Sequence, residues 1–213
     1  RAPRLTRGAP PSDTPPVDET TKNGSADQVI DPRPETGGSL RRLAVMFSGG
    51  TDSTATVALL AEQYDEIHLL TCTHSGLRFV EHSERNIPRL RARFPAVRFH
   101  HVYLEMDALW RWVTFDRYWS NVRRHGFMTL TTCGLCKVAM HLRAMVHCID
   151  NGINEIADGA NHNMSHSPEQ MQEVLTEMRR LYARFGITYT SPVYDYDFPK
   201  DIDWLHKIGL PAA

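Results

Sequence analysis

The chain has few of the features that mark secreted, disulfide-bonded or membrane-spanning proteins. It contains four cysteines in 213 residues, which is too few for a disulfide scaffold and favours a reducing compartment. No apolar run in the sequence reaches the length of a membrane span. The N-terminus also lacks the apolar core of a secretion signal. We therefore expect a cytoplasmic protein that does not insert into a membrane.

Positive charge is absent from one part of the chain and concentrated in the next. Residues 43–77 hold four acidic residues and no lysine or arginine, whereas residues 78–125 hold ten arginines and five acidic residues. Aromatic residues lie among these arginines, including Trp110, Trp112, Tyr118 and Trp119. Arginines mixed with aromatic residues can bind RNA through phosphate contacts and base stacking. A solvated surface above core aromatics explains the same composition, so both interpretations stay open.

Large apolar residues are scarce in residues 1–40, which are rich in proline, threonine, aspartate and glycine. Such a segment cannot bury enough apolar surface to offset the entropy of ordering it. We predict a disordered tail or linker there, followed by one α/β domain over residues 41–213. In that domain short apolar runs alternate with segments of helical periodicity, which is typical of a doubly wound, five-stranded parallel sheet of Rossmann-like type.

The periodicity also predicts where the elements lie. Strands are expected at Leu43–Phe47, Glu66–Thr73, Val97–Leu104, Ile153–Ala157 and Ile187–Val193. Helices are expected at Phe79–Phe94, where Pro88 must bend or split the helix, and from Leu135 to Ile149. Ser167-Pro168 is typical of a helix start, and residues 105–130 are expected to be irregular.

The first predicted strand leads directly into Ser-Gly-Gly-Thr-Asp-Ser at residues 48–53, and a helix follows. Glycines let backbone N–H groups approach an anion, and a helix N-terminus adds unpaired donors and a positive dipole. Four hydroxyl side chains add further donors: Ser48, Thr51, Ser53 and Thr54. Asp52 would repel a bare phosphate, so its presence indicates Mg²⁺ on a polyphosphate. The simpler alternative is a glycine-rich turn with an aspartate cap.

The motif resembles the PP-loop of the ATP pyrophosphatases, the adenine-nucleotide α-hydrolase group. The resemblance implies a Rossmann-like domain of the HUP type that binds ATP and Mg²⁺. It implies a reaction in which a substrate oxygen attacks the α-phosphorus, pyrophosphate leaves, and sulfur or nitrogen then enters the adenylated substrate. It assigns Asp52 to Mg²⁺, Asp52 and Ser53 to catalysis, and the whole loop, with Gly49 and Gly50, to cofactor binding.

The second half of the chain resembles a run found in PP-loop enzymes that thiolate tRNA. Those enzymes have Cys-x-x-Cys at the start of a helix and then a strand that ends in Gly-x-Asn. Here Cys133 and Cys136 match the first part, and Gly159 and Asn161 match the second. The resemblance places Gly159 and Asn161 in the cofactor site and gives Cys133 and Cys136 to sulfur chemistry. An acidic pair that often follows in the family is replaced by a segment that begins at Asn163.

Topology brings further residues to the same edge of the sheet. A helix that feeds a parallel strand starts at the carboxyl edge, so Cys133 and Cys136 are expected near the phosphate loop. Cys72, Thr73 and His74 stand at the end of the second predicted strand, at that same edge. We therefore expect Thr73 and His74 to line the nucleotide pocket, and Cys72 to converge with the cysteine pair.

Several roles for Cys72, Cys133 and Cys136 stay open at this point. They can hold an iron–sulfur cluster through three thiolates or bind zinc. They can instead form a redox or persulfide pair whose thiolates the helix N-terminus stabilises, or they can be small buried thiols. Segments at Thr73 and Cys133 also resemble the phosphoadenylylsulfate reductases, in which Lys137 would contact a phosphate or sulfate.

The residues and the resemblance together predict an ATP-dependent adenylating enzyme, either a ligase or a sulfurtransferase. The expected acceptor is a nucleobase in RNA, as in tRNA modification, or a small molecule with a carbonyl or carboxylate. The expected partner is a protein that donates sulfur or ammonia. Two alternatives are a reductase-like sulfonucleotide enzyme and a nucleotide-binding module without turnover. If the C-terminal segment folds over the site, Lys200 is expected to reach a phosphate of the nucleotide.

Overall fold

The computed structural model describes residues 40–77, 80–127, 132–196, 205 and 209–210. Within them, five parallel strands form one sheet in the order β3-β2-β1-β4-β5. The strands are β1 (Arg42–Met46), β2 (Glu66–Thr73), β3 (Arg98–Glu105), β4 (Glu155–Ala157) and β5 (Thr188–Thr190). The predicted α/β fold with a doubly wound parallel sheet is confirmed. Residues 1–39 of the predicted tail lie outside the described residues, as does Lys200.

Helices connect the strands and cover the sheet. The α-helices are α1 (Thr51–Leu60), α2 (Ile87–Arg93), α3 (Asp107–Arg111), α4 (Tyr118–His125), α5 (Thr132–Asp150) and α6 (Gln172–Ala183). Short 3₁₀-helical segments occupy Ala61–Gln63, Val80–Asn86, His162–Met164 and Pro168–Gln170, and a π-helical turn occupies Trp112–Asp116. In the part of the chain that the structure describes, no helix combines the length and the apolar character needed to cross a membrane.

The core lies on both faces of the sheet because successive side chains of each strand point to opposite sides. On one face, Leu43 and Ile67 pack with α1 and α2 residues such as Val57 and Leu90. On the other face, strand residues pack with Met145 of α5 and with α6. Near-continuous apolar strands are what a parallel sheet covered on both sides requires.

Three elements differ from the sequence prediction. The helix predicted around Pro88 is split: Val80–Asn86 is 3₁₀-helical, and α2 begins at Ile87 so that Pro88 falls in its first turn. Proline is tolerated there because first-turn amides have no intrahelical acceptor. The expectation of irregular structure over residues 105–130 is wrong, because α3, the π-helical turn and α4 occupy most of that segment. The helix predicted at Ser167 begins instead at Gln172.

The strand order creates a crevice at the carboxyl edge of the sheet. From β1 the chain proceeds outwards to β2 and β3, and then returns through α5 to β4 on the other side of β1. Loops that leave β1 and β4 therefore separate in opposite directions. Ligands of open α/β sheets bind at such a topological switch point. The residues 48–53 follow β1, so the fold places the phosphate-loop motif at this crevice.

Candidate active site

The loop between β1 and α1 is held in shape by its own hydroxyl groups. The amide of Gly50 donates to Ser48 Oγ at 3.3 Å, and Ser48 Oγ lies 3.3 Å from Ser53 Oγ. Gly50 O accepts hydrogen bonds from Ser53 Oγ at 3.2 Å and from Thr54 Oγ1 at 2.7 Å. Gly50 is the N-cap residue of α1 and has no side chain to cap the helix. The first-turn amides and the positive end of the helix dipole are therefore available to an anion.

Two glycines are required because other backbone segments approach the loop closely. Gly49 has φ +74°, and a Cβ there would lie 2.4 Å from Ser83 Cα. Gly159, at the end of β4, lies against the first turn of α1, and a Cβ there would lie 2.7 Å from the amide nitrogen of Ser53. Thr56 Oγ1 also donates to the carbonyl of Asp158 at 3.2 Å. The end of β4 thus supports the start of α1.

Asp52 stands in the first turn of α1, half-buried beside Asn161. Burial raises the pKa of Asp52, and a hydrogen bond with the Asn161 side chain partly offsets that rise. Asn161 is itself buried: its side-chain oxygen accepts from the backbone N–H of Asn163 at 2.9 Å, and its backbone N–H donates to Gln170 Oε1 at 2.8 Å. Asn161 therefore contacts Asp52 through its side chain but does not line the cavity.

A cavity of about 560 Å³ opens beside the loop. Ser48, the segment 50–53 and Gly159 form one wall. Another part of the lining, called the cysteine wall, includes His74, from the end of β2, and the cysteines Cys133 and Cys136, from the start of α5. The structure therefore brings together most of the site residues that the sequence predicted. The size is typical of a site for a nucleotide-sized ligand.

The remaining predicted site residues lie elsewhere. Gly49 and Cys72 line a second cavity of about 500 Å³, which shares Ser48 and Gly50 with the first. Thr54 is fully buried inside α1, where its hydroxyl donates to a backbone carbonyl. The carbonyl of Thr73 accepts from the amide of Met106, which ties β2 to the segment after β3.

Cys136 and His74 form a hydrogen-bonded pair within the cavity lining. The distance between Cys136 Sγ and His74 Nε2 is 3.3 Å. His74 Nδ1 accepts from the amide of Gly76 at 2.9 Å, and burial lowers the His74 pKa. The neutral ring must then carry its proton on Nε2, so His74 donates to the sulfur. Its ring also stacks on Trp110, with centroids 4.1 Å apart. In this arrangement His74 cannot accept the thiol proton.

The thiols do not form the three-ligand site that the topology suggested. Among the described residues, the single group of three or more metal-ligating side chains with converging ligand atoms contains no cysteine. Cys72 is buried, and burial raises its pKa to about 12. Burial likewise raises the pKa of Cys136 to about 11, which differs from the expected stabilised thiolate. Cys133 is exposed.

The raised pKa of Cys136 predicts slow alkylation at neutral pH. With a pKa of about 11, the thiolate fraction at pH 7 is on the order of 10⁻⁴, and only the thiolate reacts. In the Cys133→Ser protein, iodoacetamide labelling of Cys136 should accelerate about tenfold per pH unit up to pH 10. Peptide mass spectrometry at each pH measures the rate. A rate that levels off near pH 7 would show a stabilised thiolate instead.

A buried polar network is centred on Asp158, which lines the cavity together with Lys137 and His141. Its carboxylate accepts hydrogen bonds from Lys137 Nζ at 2.9 Å, Tyr189 OH at 2.7 Å and Ser191 Oγ at 2.7 Å. Burial favours the protonated form, but the Lys137 charge and these hydrogen bonds outweigh it and lower the pKa of Asp158. Burial also lowers the pKa of His141 to about 4, so its ring is neutral. Lys137 thus has an anionic partner within the protein.

Sequence patterns do not single out two carboxylates of the cavity, Asp158 and Glu169. Asp158 had a usable signal, because it stands directly between the last residue of β4 and Gly159 at the carboxyl edge. Glu169 had none, since it falls in a predicted helix start that the structure replaces with a 3₁₀-helical segment. Its Oε2 atom is buried and has no hydrogen-bond partner among the described residues.

Comparison with protein families decides how this site is classified. The chain matches the asparagine synthase family over residues 39–195. The protein belongs to this family. The match covers the phosphate loop, the cysteine pair and the strand end at Gly159, and it places the chain in the PP-loop, adenine-nucleotide α-hydrolase superfamily. Membership of the asparagine synthase family implies ATP as a ligand, and ATP with Mg²⁺ is typical of its domains.

Comparisons with individual proteins add little to the family assignment. A solved structure from Methanocaldococcus jannaschii, described as a predicted subunit of tRNA methyltransferase, is 16% identical to this chain with a TM-score of 0.49. The alignment covers 79% of this chain and 75% of that one. At this level of similarity the match carries no functional argument. A search of curated proteins gave no match.

Proposed function

We propose that the protein is an ATP-dependent adenylating enzyme. An oxygen of the acceptor attacks the α-phosphorus of ATP, the bond from that phosphorus to the bridging oxygen breaks, and pyrophosphate leaves. A sulfur or nitrogen nucleophile then attacks the activated carbon, and AMP departs with the acceptor oxygen. The single observation that carries the proposal is that the phosphate loop and a wall with two thiols face one cavity.

In this proposal the loop residues stabilise the leaving group. The first-turn amides of α1 and the hydroxyls of Ser48 and Thr51 are donors for the β- and γ-phosphates. Donors that are held in place before the reaction need little reorganisation as negative charge develops on pyrophosphate. Close contact of Gly159 with the first turn of α1 holds these donors against the end of β4.

The residues present fit a magnesium ion on the triphosphate. Mg²⁺ prefers carboxylate oxygens and phosphate oxygens, and it usually has few protein ligands. Asp52 and Glu169 both line the cavity, and the buried Oε2 of Glu169 has no hydrogen-bond partner among the described residues. We assign both carboxylates to the metal. Glu169 would then fill the role of the acidic pair that is missing after Asn161. The bound ion would neutralise charge on the triphosphate.

The cysteines are proposed to serve the nucleophilic half-reaction. Cys133 is exposed, so its thiolate can attack the outer sulfur of a persulfide on a donor protein, which forms a Cys133 persulfide and releases the donor's thiolate. After this outer sulfur bonds to the activated carbon, a thiol reductant cleaves the S–S bond and releases the product. Cys136 lies deeper and pairs with His74. Because the three thiols do not converge, the arrangement does not fit a cluster with three thiolate ligands. If ammonia is the nucleophile instead, the cysteines serve only to shape the wall. Sulfur and ammonia are therefore tested separately as the nucleophile.

An RNA acceptor is favoured by the surface next to the cavity. Trp110 lines the cavity and contacts Phe115 edge to face at 5.1 Å. Phe115 is half-exposed, and Trp119 and Phe127 are 79% and 78% exposed. The guanidinium of Arg117 stacks over Trp112. Residues 107–127 contain four arginines and two aspartates. Exposed aromatic rings with arginines can stack on unpaired bases and contact phosphates.

Pyrophosphate release from ATP tests the proposal directly. The purified protein is incubated with Mg²⁺-ATP and either bulk tRNA or a mixture of small carboxylates, and pyrophosphate and AMP are measured. We expect release that depends on tRNA and falls at least tenfold in Trp119→Ala. Pyrophosphate release that depends on the small carboxylates instead would support the adenylation reaction but would contradict the assignment of RNA as the acceptor. ATP binding without release, or sulfite formation from phosphoadenylylsulfate with thioredoxin, would contradict the proposed function.

The sulfur and nitrogen alternatives are separated in the same assay. Adenylation is the first half-reaction, so the Cys133→Ser protein should still exchange labelled pyrophosphate into ATP when the acceptor is present. If sulfur is the nucleophile, product formation should be lost in Cys133→Ser. If ammonia is the nucleophile, Cys133→Ser should form product from ammonium salts at the rate of the unaltered protein.

A further inference from the structure

A carboxylate and two imidazoles converge at the edge of the sheet opposite the nucleotide cavity. His68 of β2 pairs with His100 of β3, and Glu66 precedes His68 by two residues, so all three side chains lie on one face. This is the amino end of both strands, whereas the phosphate loop lies at the carboxyl end. The ligand atoms of the three residues lie within 4.8 Å of one another.

The separations match those of ligands around a tetrahedral ion. Glu66 Oε1 lies 3.0 Å from His68 Nε2 and 3.2 Å from His100 Nε2. Zinc bonds of about 2.0–2.1 Å at tetrahedral angles place neighbouring ligand atoms about 3.3 Å apart. An ion can therefore enter with small side-chain movements. Two imidazoles and one carboxylate form a ligand set that suits zinc and related transition metals better than Mg²⁺ or Ca²⁺.

Neighbouring side chains hold these three residues in position. His68 Nε2 donates to Glu66 Oε1 at 3.0 Å, and His68 Nδ1 lies 2.9 Å from His147 Nε2 on α5. An ion on Nε2 would replace the hydrogen bond to Glu66, and the His68 proton would then lie on Nδ1, facing His147. The other oxygen of Glu66 lies 3.4 Å from Arg98 and 3.7 Å from Arg42. A metal-bound histidine commonly donates its second ring N–H to a neighbouring acceptor, and this contact fixes the orientation of the ring. For His68 that acceptor would be His147 Nε2.

One ligand of the group is open to solvent. The His100 side chain is 48% exposed, which leaves access for the ion and a position for water as a fourth ligand.

We propose that Glu66, His68 and His100 form a site for a zinc-class divalent ion, separate from the nucleotide cavity, with His147 as a positioning residue. β3 is an edge strand of the sheet, and the ion would join it to β2. Metal binding to the folded chain alone stabilises it by mass action. The site would therefore strengthen the edge of the sheet rather than take part in adenylation.

Zinc titration of the full chain tests this site. The chelator-treated Cys133→Ser/Cys136→Ser protein is titrated with Zn²⁺ in excess Mg²⁺, because the thiols and Asp52 could otherwise bind the added ion. We expect one equivalent of zinc and a melting temperature that rises with zinc concentration. Co²⁺ at the same site should give the visible bands of a tetrahedral complex without the near-ultraviolet charge-transfer band of a thiolate ligand.

Substitutions then assign the ligands. His100→Ala should lose the bound equivalent, whereas His125→Ala, an exposed histidine on α4, should retain it. His147→Ala should retain the cobalt spectrum and weaken affinity about 10–100-fold, as expected for a supporting hydrogen-bond partner. Glu66→Gln keeps the shape of the side chain and serves as the test if His100→Ala fails to fold. Absence of the equivalent in the Cys133→Ser/Cys136→Ser protein, or undiminished affinity in His100→Ala and Glu66→Gln, would overturn the proposal.

Discussion

The Asp52→Asn protein is expected to lose at least about 10²-fold in pyrophosphate release while melting at the same or a higher temperature. The substitution keeps the size of the side chain and a hydrogen bond to Asn161, but removes a proposed metal ligand. Metal stabilisation of transition-state charge is worth several kcal/mol, and a factor of 10² corresponds to about 2.7 kcal/mol. Steady-state kinetics with varied Mg²⁺ and thermal melts of both proteins measure the two effects.

The direction of the stability change follows from the pKa of Asp52. Its folded-state pKa lies above the ordinary value of 3.8 because burial disfavours the charge. The folded protein therefore binds this proton more tightly than the unfolded chain, and the ionised group destabilises the fold at neutral pH. The penalty is full above the raised pKa and disappears as the pH falls below 3.8. Asparagine carries no charge, so the substitution removes the penalty.

Glu173→Gln provides the matched control for Asp52→Asn. Glu173 also stands in the first turn of a helix, α6, but it is exposed and lies outside the cavity. Loss of its favourable interaction with the helix dipole should cost about 0.3–1 kcal/mol and leave turnover unchanged. Equal losses of turnover and stability in Asp52→Asn would show that Asp52 is a structural residue and would contradict its assignment to Mg²⁺.

The Gly49→Ala protein is expected to lose ATP affinity by at least tenfold, whereas Gly152→Ala should retain it. Both glycines have positive φ, +74° and +62°, so both substitutions incur left-handed backbone strain of about 1–2 kcal/mol. Only Gly49 faces other backbone atoms, with Ser83 Cα 2.4 Å from the added Cβ, whereas a Cβ at Gly152 meets nothing within 4 Å. Comparison of Gly49→Ala with Gly152→Ala therefore separates the effect of the steric clash from the effect of left-handed backbone strain.

The clash at Gly49 should appear in both binding and stability. Backbone atoms cannot give way as a flexible side chain can, so the loop or the segment Val80–Asn86 must move. We expect an additional destabilisation of about 1–3 kcal/mol relative to Gly152→Ala. Calorimetric titration with Mg²⁺-ATP and denaturant unfolding measure the two quantities. Undiminished ATP affinity in Gly49→Ala would show that the loop geometry is not needed for binding.

The sequence was most informative where local chemistry decides the structure. The bounds of β2 agree with the prediction, because Glu66–Thr73 combines β-branched and apolar residues in a buried parallel strand. The loop at residues 48–53 was predictable for a similar reason, since glycines at a strand-to-helix junction have few other uses. The position of Cys133 and Cys136 followed from topology alone.

Other parts of the site depend on contacts between distant residues. Asp158 meets Lys137, Tyr189 and Ser191, which are 21, 31 and 33 residues away in sequence. The start of α6 is displaced because Gln170 accepts a hydrogen bond from the amide of Asn161, which draws the segment Pro168–Gln170 to the cavity. No periodicity or capping pattern contains such information. The same applies to the separation of Cys72 from the cysteine pair.

The most direct test of the account is a crystal structure with Mg²⁺ and an ATP analogue that cannot be cleaved between the α- and β-phosphates. We expect the β- and γ-phosphates to accept hydrogen bonds from the loop at residues 48–53, and Asp52 to contact the metal. The α-phosphorus should face the wall that contains Cys133 and Cys136. A nucleotide bound elsewhere, or one with its γ-phosphate directed at that wall, would contradict the account.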